Sequence, residues 1–115
     1  MADSRSCIFC RIARGEIPAQ MVANNKEIAA FKDLNPQAPV HILIIPKKHI
    51  ASLDDATDSD LLGRMMTLAA AIARQEKIAK SGYRTVINTG ADGGQSVDHL
   101  HINLLGGRPM TWPPG

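Results

Sequence analysis

From Gln95 to Arg108 the chain reads QSVDHLHINLLGGR, and the alternation inside this stretch restricts its fold more than any other feature. Successive side chains of a strand point to opposite faces. His99, His101 and Asn103 would therefore share one face, and Leu100, Ile102 and Leu104 the other. The spacing predicts a strand from Val97 to Leu105, ended by Gly106-Gly107, with one apolar face and one face carrying two imidazoles and an amide.

Other segments supply partners for such a strand. His41-Ile42-Leu43-Ile44-Ile45 is a β-branched apolar run ended by Pro46, which predicts a buried strand. Gln20–Ala23 and Glu27–Lys32 read as a hairpin around Asn24-Asn25, and Tyr83–Asn88 as a further strand. Cys7–Arg14 suits a short helix ended by Gly15. A long helix is expected from about Asp58 to Lys80, with Thr57 as its cap in a capping box with Asp60. Leu61, Met65, Leu68 and Ile72 form its apolar stripe, and Ser81-Gly82 ends it. Strands with one main helix point to an α+β fold with an antiparallel sheet.

The 115 residues suit one domain, 1–115, with a genuine core. A net charge of +2 excludes a basic nucleic-acid surface, and 3% aromatics exclude a base-stacking platform. No apolar stretch reaches the length of a membrane span. The opening MADSRSC lacks the apolar centre of a signal peptide, so a cytoplasmic protein is expected. There, Cys7 and Cys10 read as a metal or redox pair rather than a structural disulfide.

The polar strand follows Gly93-Gly94-Gln95-Ser96. Glycines let a backbone approach an anion, and free N–H groups with a serine hydroxyl can cradle phosphate. A histidine just after such a loop is placed for attack on phosphorus, provided its second ring nitrogen is held by an acceptor. A glycine turn leading to a solvated sheet face fits the same residues. His41, taken alone, reads as a structural histidine.

In order along the chain, CIFCRIARGEIPA, FKDLNPQAPVHILIIPKKHI, GYRTVINTGADGGQSV, HLHINLLGGR and WPPG closely resemble the histidine triad (HIT) superfamily, in its Hint branch of purine nucleoside phosphoramidases. The resemblance implies a five-stranded antiparallel sheet with one long helix and a short N-terminal helix. It also implies a homodimer with a continuous ten-stranded sheet. The implied substrates are purine nucleoside monophosphates joined to an amine, cleaved through a nucleotidyl-histidine. His101 matches the nucleophile, and His99 the first triad histidine, whose carbonyl would hold the second nitrogen of His101. His41 matches an additional supporting histidine. Gly94, Gln95 and Ser96 match the phosphate loop, and Asn88 a residue near the phosphate. Asp33 matches the ribose-binding carboxylate, beside Leu34 and Phe31 of the base pocket. Trp112 matches a tail residue that reaches the partner subunit's site; the plainer alternative is an anchor holding the tail to its own sheet.

One position departs from the motif. The third triad histidine is replaced by Asn103. An amide neither carries charge nor passes a proton, so hydrolysis is expected to be attenuated rather than lost. The galactose-phosphate uridylyltransferase branch, with glutamine there, is the precedent for an amide. The alternative is a mononucleotide-binding or protein-interaction module with little turnover. A dinucleoside polyphosphate hydrolase matches less well in the WPPG tail and QSV loop. Cys7-x-x-Cys10 has zinc-ligand spacing but needs two more ligands. The resemblance supplies His49 and His99, implying a closed structural zinc site. The other reading is two reduced cysteines packed as small hydrophobes.

Overall fold

The structure, a computed structural model, describes residues 5–115. The expectation read on residues 1–7, that no signal peptide opens the chain, lies in part outside them. The elements are α1 (Ile8–Ala13), β1 (Met21–Asn24), β2 (Ile28–Lys32), β3 (Val40–Pro46), a 3-10 turn (Leu53–Asp55), α2 (Ser59–Gln75), β4 (Tyr83–Val86) and β5 (Ile102–Gly106). The strands form one antiparallel five-stranded sheet in the order β1-β2-β3-β5-β4. The expected α+β fold is the observed one. No helix among the described residues is long and apolar enough to cross a membrane.

Both sheet faces are covered, which explains the unbroken apolar run of β3. On one face Ile28, Ala30, Ile42, Ile44, Ile102 and Leu104 pack against Leu61, Met65, Ala69 and Ile72 of α2. On the other, Ala29, Phe31, Leu43 and Ile45 pack against Phe9, Cys10 and Ile12 of α1 and its preceding residue Cys7. Register then sets a row across this second face. Phe31 lies opposite Leu43, Leu43 opposite Asn103, and Asn103 opposite Val86.

Several boundaries differ from the sequence reading. The cap of α2 is Asp58, not Thr57: its carboxylate accepts the Leu61 N–H at 3.1 Å. Helix α2 stops at Gln75, not Lys80. Lys77 takes the left-handed conformation (φ 62°), and the Ile78 N–H bonds back to the Ala73 carbonyl at 3.0 Å. That closure is the usual glycine-centred helix ending with lysine in the glycine's place. Ile78, 4% exposed, returns to the core and compensates the unfavourable backbone. Strand β5 begins at Ile102, not Val97, and β4 ends at Val86, not Asn88. The Leu100 N–H goes to the Ile50 carbonyl rather than to a ladder, because β3 already ends at Pro46. The alternation of faces nevertheless continues upstream: Leu100 is buried with the α2 core, while the His99 ring meets Cys7 and Cys10.

Candidate functional site

A cleft of about 320 Å³ opens on the α1 side of the sheet. Its apolar wall is built by Phe9 and Ile12 of α1, Ile17, Phe31 and Leu43; its polar wall by Asn88, Ser96, His101 and Asn103. Lys32, Asp33 and Leu34 also line it, and Leu34 is 92% exposed. An apolar slot beside a cluster of hydrogen-bonding groups suits a ligand with a flat base at one end and an anion at the other.

His101 is oriented from two sides. Its Nδ1 lies 2.7 Å from the His99 carbonyl. A carbonyl only accepts, so Nδ1 carries the proton and Nε2 carries the lone pair. Phe9 meets the imidazole edge to face, with centroids 5.1 Å apart.

Asn103 is fixed through His41. The Gln37 backbone N–H donates to His41 Nδ1 at 3.0 Å, so Nε2 holds the proton of the neutral ring. That Nε2–H donates to Asn103 Oδ1 at 2.9 Å, and Asp33 Oδ2 lies 3.5 Å from the same nitrogen. The amide orientation follows: its oxygen faces His41, and its nitrogen donates to the Val86 carbonyl at 3.3 Å. One amide hydrogen is left for the cleft.

The cleft thus gathers His101, Asn103, Asn88, Ser96, Asp33, Leu34 and Phe31, all expected at a substrate site. The remaining expected residues do not line it. His41 stands behind Asn103. Gln95 is a brace: Oε1 accepts from Gly90 N, and Nε2 donates to the carbonyls of Ala51 and Val97. Gly94 has φ +76°, which holds the loop turn ahead of Ser96. The neighbouring Gly93 is needed for a different reason, since a Cβ there would sit 2.3 Å from the Thr89 carbonyl oxygen. Trp112 is 82% exposed and outside the cleft, while the Arg84 guanidinium holds the tail through the Thr111 carbonyl. The α1 wall and the Gln37 N–H were not foreseen. Phe9 and Ile12, three apart and apolar, are the trace of that wall in the sequence.

A second cluster lies beside the cleft. One ligand atom each from Cys7, Cys10, His49 and His99 lies within 4.8 Å of all the others. Cys7 Sγ and Cys10 Sγ approach His99 Nδ1 at 3.3 and 3.5 Å, and Cys10 Sγ approaches His49 Nδ1 at 3.2 Å. Tetrahedral zinc separates such sulfur and nitrogen ligands by about 3.5 Å. His99 Nε2 donates to the Pro46 carbonyl at 2.8 Å, leaving Nδ1 as the lone pair directed at the sulfurs. That is the arrangement of a metal-ligating histidine with its outer-shell acceptor. His49 Nε2 is buried without a partner. The four residues fit a metal ion.

Burial shifts both kinds of group. The Cys10 thiol is pushed up to about 11, first by burial and then by its hydrogen bond and charge repulsion with Cys7. Burial pulls His99 down from 6.5 to about 4, against the opposing Pro46 hydrogen bond. In metal-free protein the unfolded chain therefore takes up a proton near pH 6.5 that the folded chain refuses until about pH 4. Stability is fully present above pH 6.5 and is lost as pH falls. Its His99 share between pH 7.5 and 5 is about 2 kcal/mol. Urea denaturation at both pH values in chelator checks this; equal midpoints would refute it.

Comparisons with known proteins agree with this architecture. The model of the HIT domain family matches residues 14–110. A HIT family hydrolase from Legionella pneumophila Philadelphia 1 superposes with a TM-score of 0.93 at 54% identity, covering 96% of this chain and 100% of that one. The purine nucleoside phosphoramidase of Escherichia coli K12 is 51% identical over 105 residues, covering 90% of this chain and 88% of the relative. An uncharacterised HIT-like protein of Synechococcus elongatus is 55% identical over 114 residues, covering 97% and 99%.

Proposed function

This chain belongs to the HIT domain family, and from that premise we propose that it is a purine nucleoside phosphoramidase acting through a nucleotidyl-histidine on His101. One observation carries the reading. The Nδ1 proton of His101 is pinned to the His99 carbonyl, so the Nε2 lone pair is available for a phosphorus atom held beside Ser96 and Asn88. Nε2 attacks the α-phosphorus and the P–N bond breaks as the departing nitrogen takes a proton from solvent and leaves as the amine; water then cleaves the nucleotidyl-histidine, its proton passing to solvent, to release the nucleoside monophosphate and restore the Nε2 lone pair. The base lies in the slot of Phe9, Phe31 and Leu43, and Asp33 accepts from the ribose hydroxyls.

Asn103 offers its remaining amide hydrogen to a phosphate oxygen. A neutral donor is about half as strong as a charged one, and losing one transition-state donor costs on the order of a hundredfold. AMP release from adenosine 5′-phosphoramidate tests this. Slow turnover is expected in the wild type, and Asn103→His is expected to be faster by about a hundredfold. The amide at 103 also favours a second reading, a mononucleotide-binding module. AMP binding with no turnover in the wild type, and full turnover in Asn103→His, would select it.

We also propose that Cys7, Cys10, His49 and His99 hold a zinc ion. With four protein ligands it would be closed to substrate and structural, tying the segment before α1 to the sheet. His99 serves both sites without conflict, its ring toward the metal and its carbonyl toward His101. The proposed assembly is a homodimer through β4, which has β5 on one side and stands at the sheet's edge. Such pairing extends the sheet across two copies and brings the exposed Trp112 toward the partner's cleft.

A further inference from the structure

Beyond β5 the chain turns back and brings a guanidinium behind the cleft. Gly107 has φ +88°, and a Cβ there would sit 2.9 Å from the Pro39 Cβ. The chain can turn against Pro39 there because position 107 is glycine, and Arg108 reaches the loop between β2 and β3. Arg108 Nε and Nη2 both donate to the Gln37 carbonyl, at 3.1 and 3.0 Å. Its Nη1 donates to the Pro109 carbonyl at 3.1 Å. Arg108 is exposed and does not line the cleft.

The residue it clamps is the one whose N–H orients His41. Pro36 has a fixed φ, and Ala38, which precedes Pro39, is biased to extended backbone. Between these stiff neighbours, the torsions of Gln37 alone relate its carbonyl to its N–H. Holding the carbonyl from outside therefore holds the N–H. From there the relay runs inward, from Gln37 N–H to His41 Nδ1 at 3.0 Å and from His41 Nε2–H to Asn103 Oδ1 at 2.9 Å.

What the relay decides arises from the amide. Asn103 turns a donor to the cleft in one orientation and an acceptor in the other. An acceptor would face phosphate oxygens and repel them. A His41 protonated on Nδ1 would offer a lone pair at Nε2 and favour that flipped amide. The Gln37 N–H disfavours this tautomer, because two donors would meet at Nδ1. The Val86 carbonyl, 3.3 Å from Asn103 Nδ2, supports the observed orientation with a long hydrogen bond.

We infer that Arg108 is a positioning residue for phosphate recognition. By clamping Gln37 it fixes the tautomer of His41, and through His41 it keeps the Asn103 donor turned toward the phosphate. The inference rests on the reading of the cleft as a nucleotide site and deepens it. Its signature is a loss confined to the phosphate. Asp33 lies in the same loop, but loosening it would weaken AMP and adenosine alike. The ratio of the two affinities therefore isolates the phosphate.

The test is calorimetric titration of AMP and adenosine into the wild type, Arg108→Ala, Asn103→Ala and the double variant. Arg108→Ala is expected to lower the ratio of AMP to adenosine affinity by about tenfold, the lower end of what a hydrogen bond to a charged group contributes. In the Asn103→Ala background the same change is expected to move the ratio by less than about twofold, since the two residues act as one unit. Nitrogen NMR of the His41 ring should show a single tautomer, protonated at Nε2, in the wild type and a mixture in Arg108→Ala. Arg108→Lys keeps the charge but gives up the paired donation. It is expected to show a smaller loss that also vanishes without Asn103, and it carries the cycle if Arg108→Ala does not fold.

An unchanged ratio in both Arg108 variants would overturn the inference. So would an equal fall with and without Asn103, which would mark a lost charge or a general loosening, or a single Nε2–H tautomer in Arg108→Ala. AMP release from adenosine 5′-phosphoramidate by the same wild-type protein would leave the nucleotidyl-histidine reading standing in each case. A wild type that binds AMP without turnover, with the ratio lost in Arg108→Ala, would remove the hydrolase reading and keep the inference.

Discussion

His101→Ala is expected to abolish hydrolysis of adenosine 5′-phosphoramidate, with a loss of at least about 10⁴-fold. Among the described residues, no other imidazole lines the cleft. His41 has its Nε2–H on Asn103, and the His99 ring is engaged with Pro46 and the cysteines. The neighbouring amides and hydroxyl lack the nucleophilicity to substitute. AMP is expected to bind the variant within several-fold of the wild type, because the slot of Phe9, Phe31 and Leu43 and the Asp33 carboxylate are untouched. Rapid quench of the wild type into alkaline denaturant with labelled substrate should recover label on the protein, because the nucleotidyl-histidine bond survives base, and His101→Ala should carry none. Turnover surviving in the variant would show that the nucleophile is elsewhere.

The second large effect concerns the Cys2His2 cluster. Protein purified without added zinc is expected to contain one zinc per chain. Cys10→Ser is expected to lose it and to be destabilised by upwards of about 4 kcal/mol, the range in which lost metals fall. The size follows from what Cys10 does: it is 3% exposed and approaches both His49 and His99. Helix α1 has six residues and no side-chain cap, so it cannot hold itself together. Because α1 forms part of the cleft wall, the same variant should also bind AMP more weakly. Metal content by mass spectrometry, urea denaturation with and without chelator, and calorimetric AMP titration read the three effects. A well-folded, metal-free wild type, with Cys10→Ser equally stable, would refute the zinc assignment.

How much of this was legible beforehand depends on the kind of signal. The His99–Leu104 alternation placed two imidazoles and an amide on one face because side-chain period survives even where ladder pairing stops. It could not show that stopping point, which β3 sets by ending at Pro46. The end of α2 was missed because Lys77 occupies a left-handed position usually marked by glycine. The identity of Asn103 was plain, but its orientation was not. That depends on a backbone N–H at Gln37, which leaves no mark in composition or periodicity. Gln95 matched a substrate loop in the sequence, yet its amide braces that loop against Ala51 and Val97. The Phe9 wall required knowing that α1 folds over the sheet, a tertiary fact.

His99 carries both ring nitrogens and its carbonyl in separate engagements, and this restricts how such a chain can change over generations. If the cluster holds a metal as proposed, positions 7, 10 and 49 could drift together on its loss, since none of them touches the ring nitrogens of His101. Position 99 could not follow freely. Whatever replaced it would need to hold its carbonyl 2.7 Å from His101 Nδ1 without the anchoring that its ring now receives from Pro46 and the sulfurs. A lineage dismantling the Cys2His2 cluster would therefore have to find a new means of fixing this backbone before, not after, it gave up the old one.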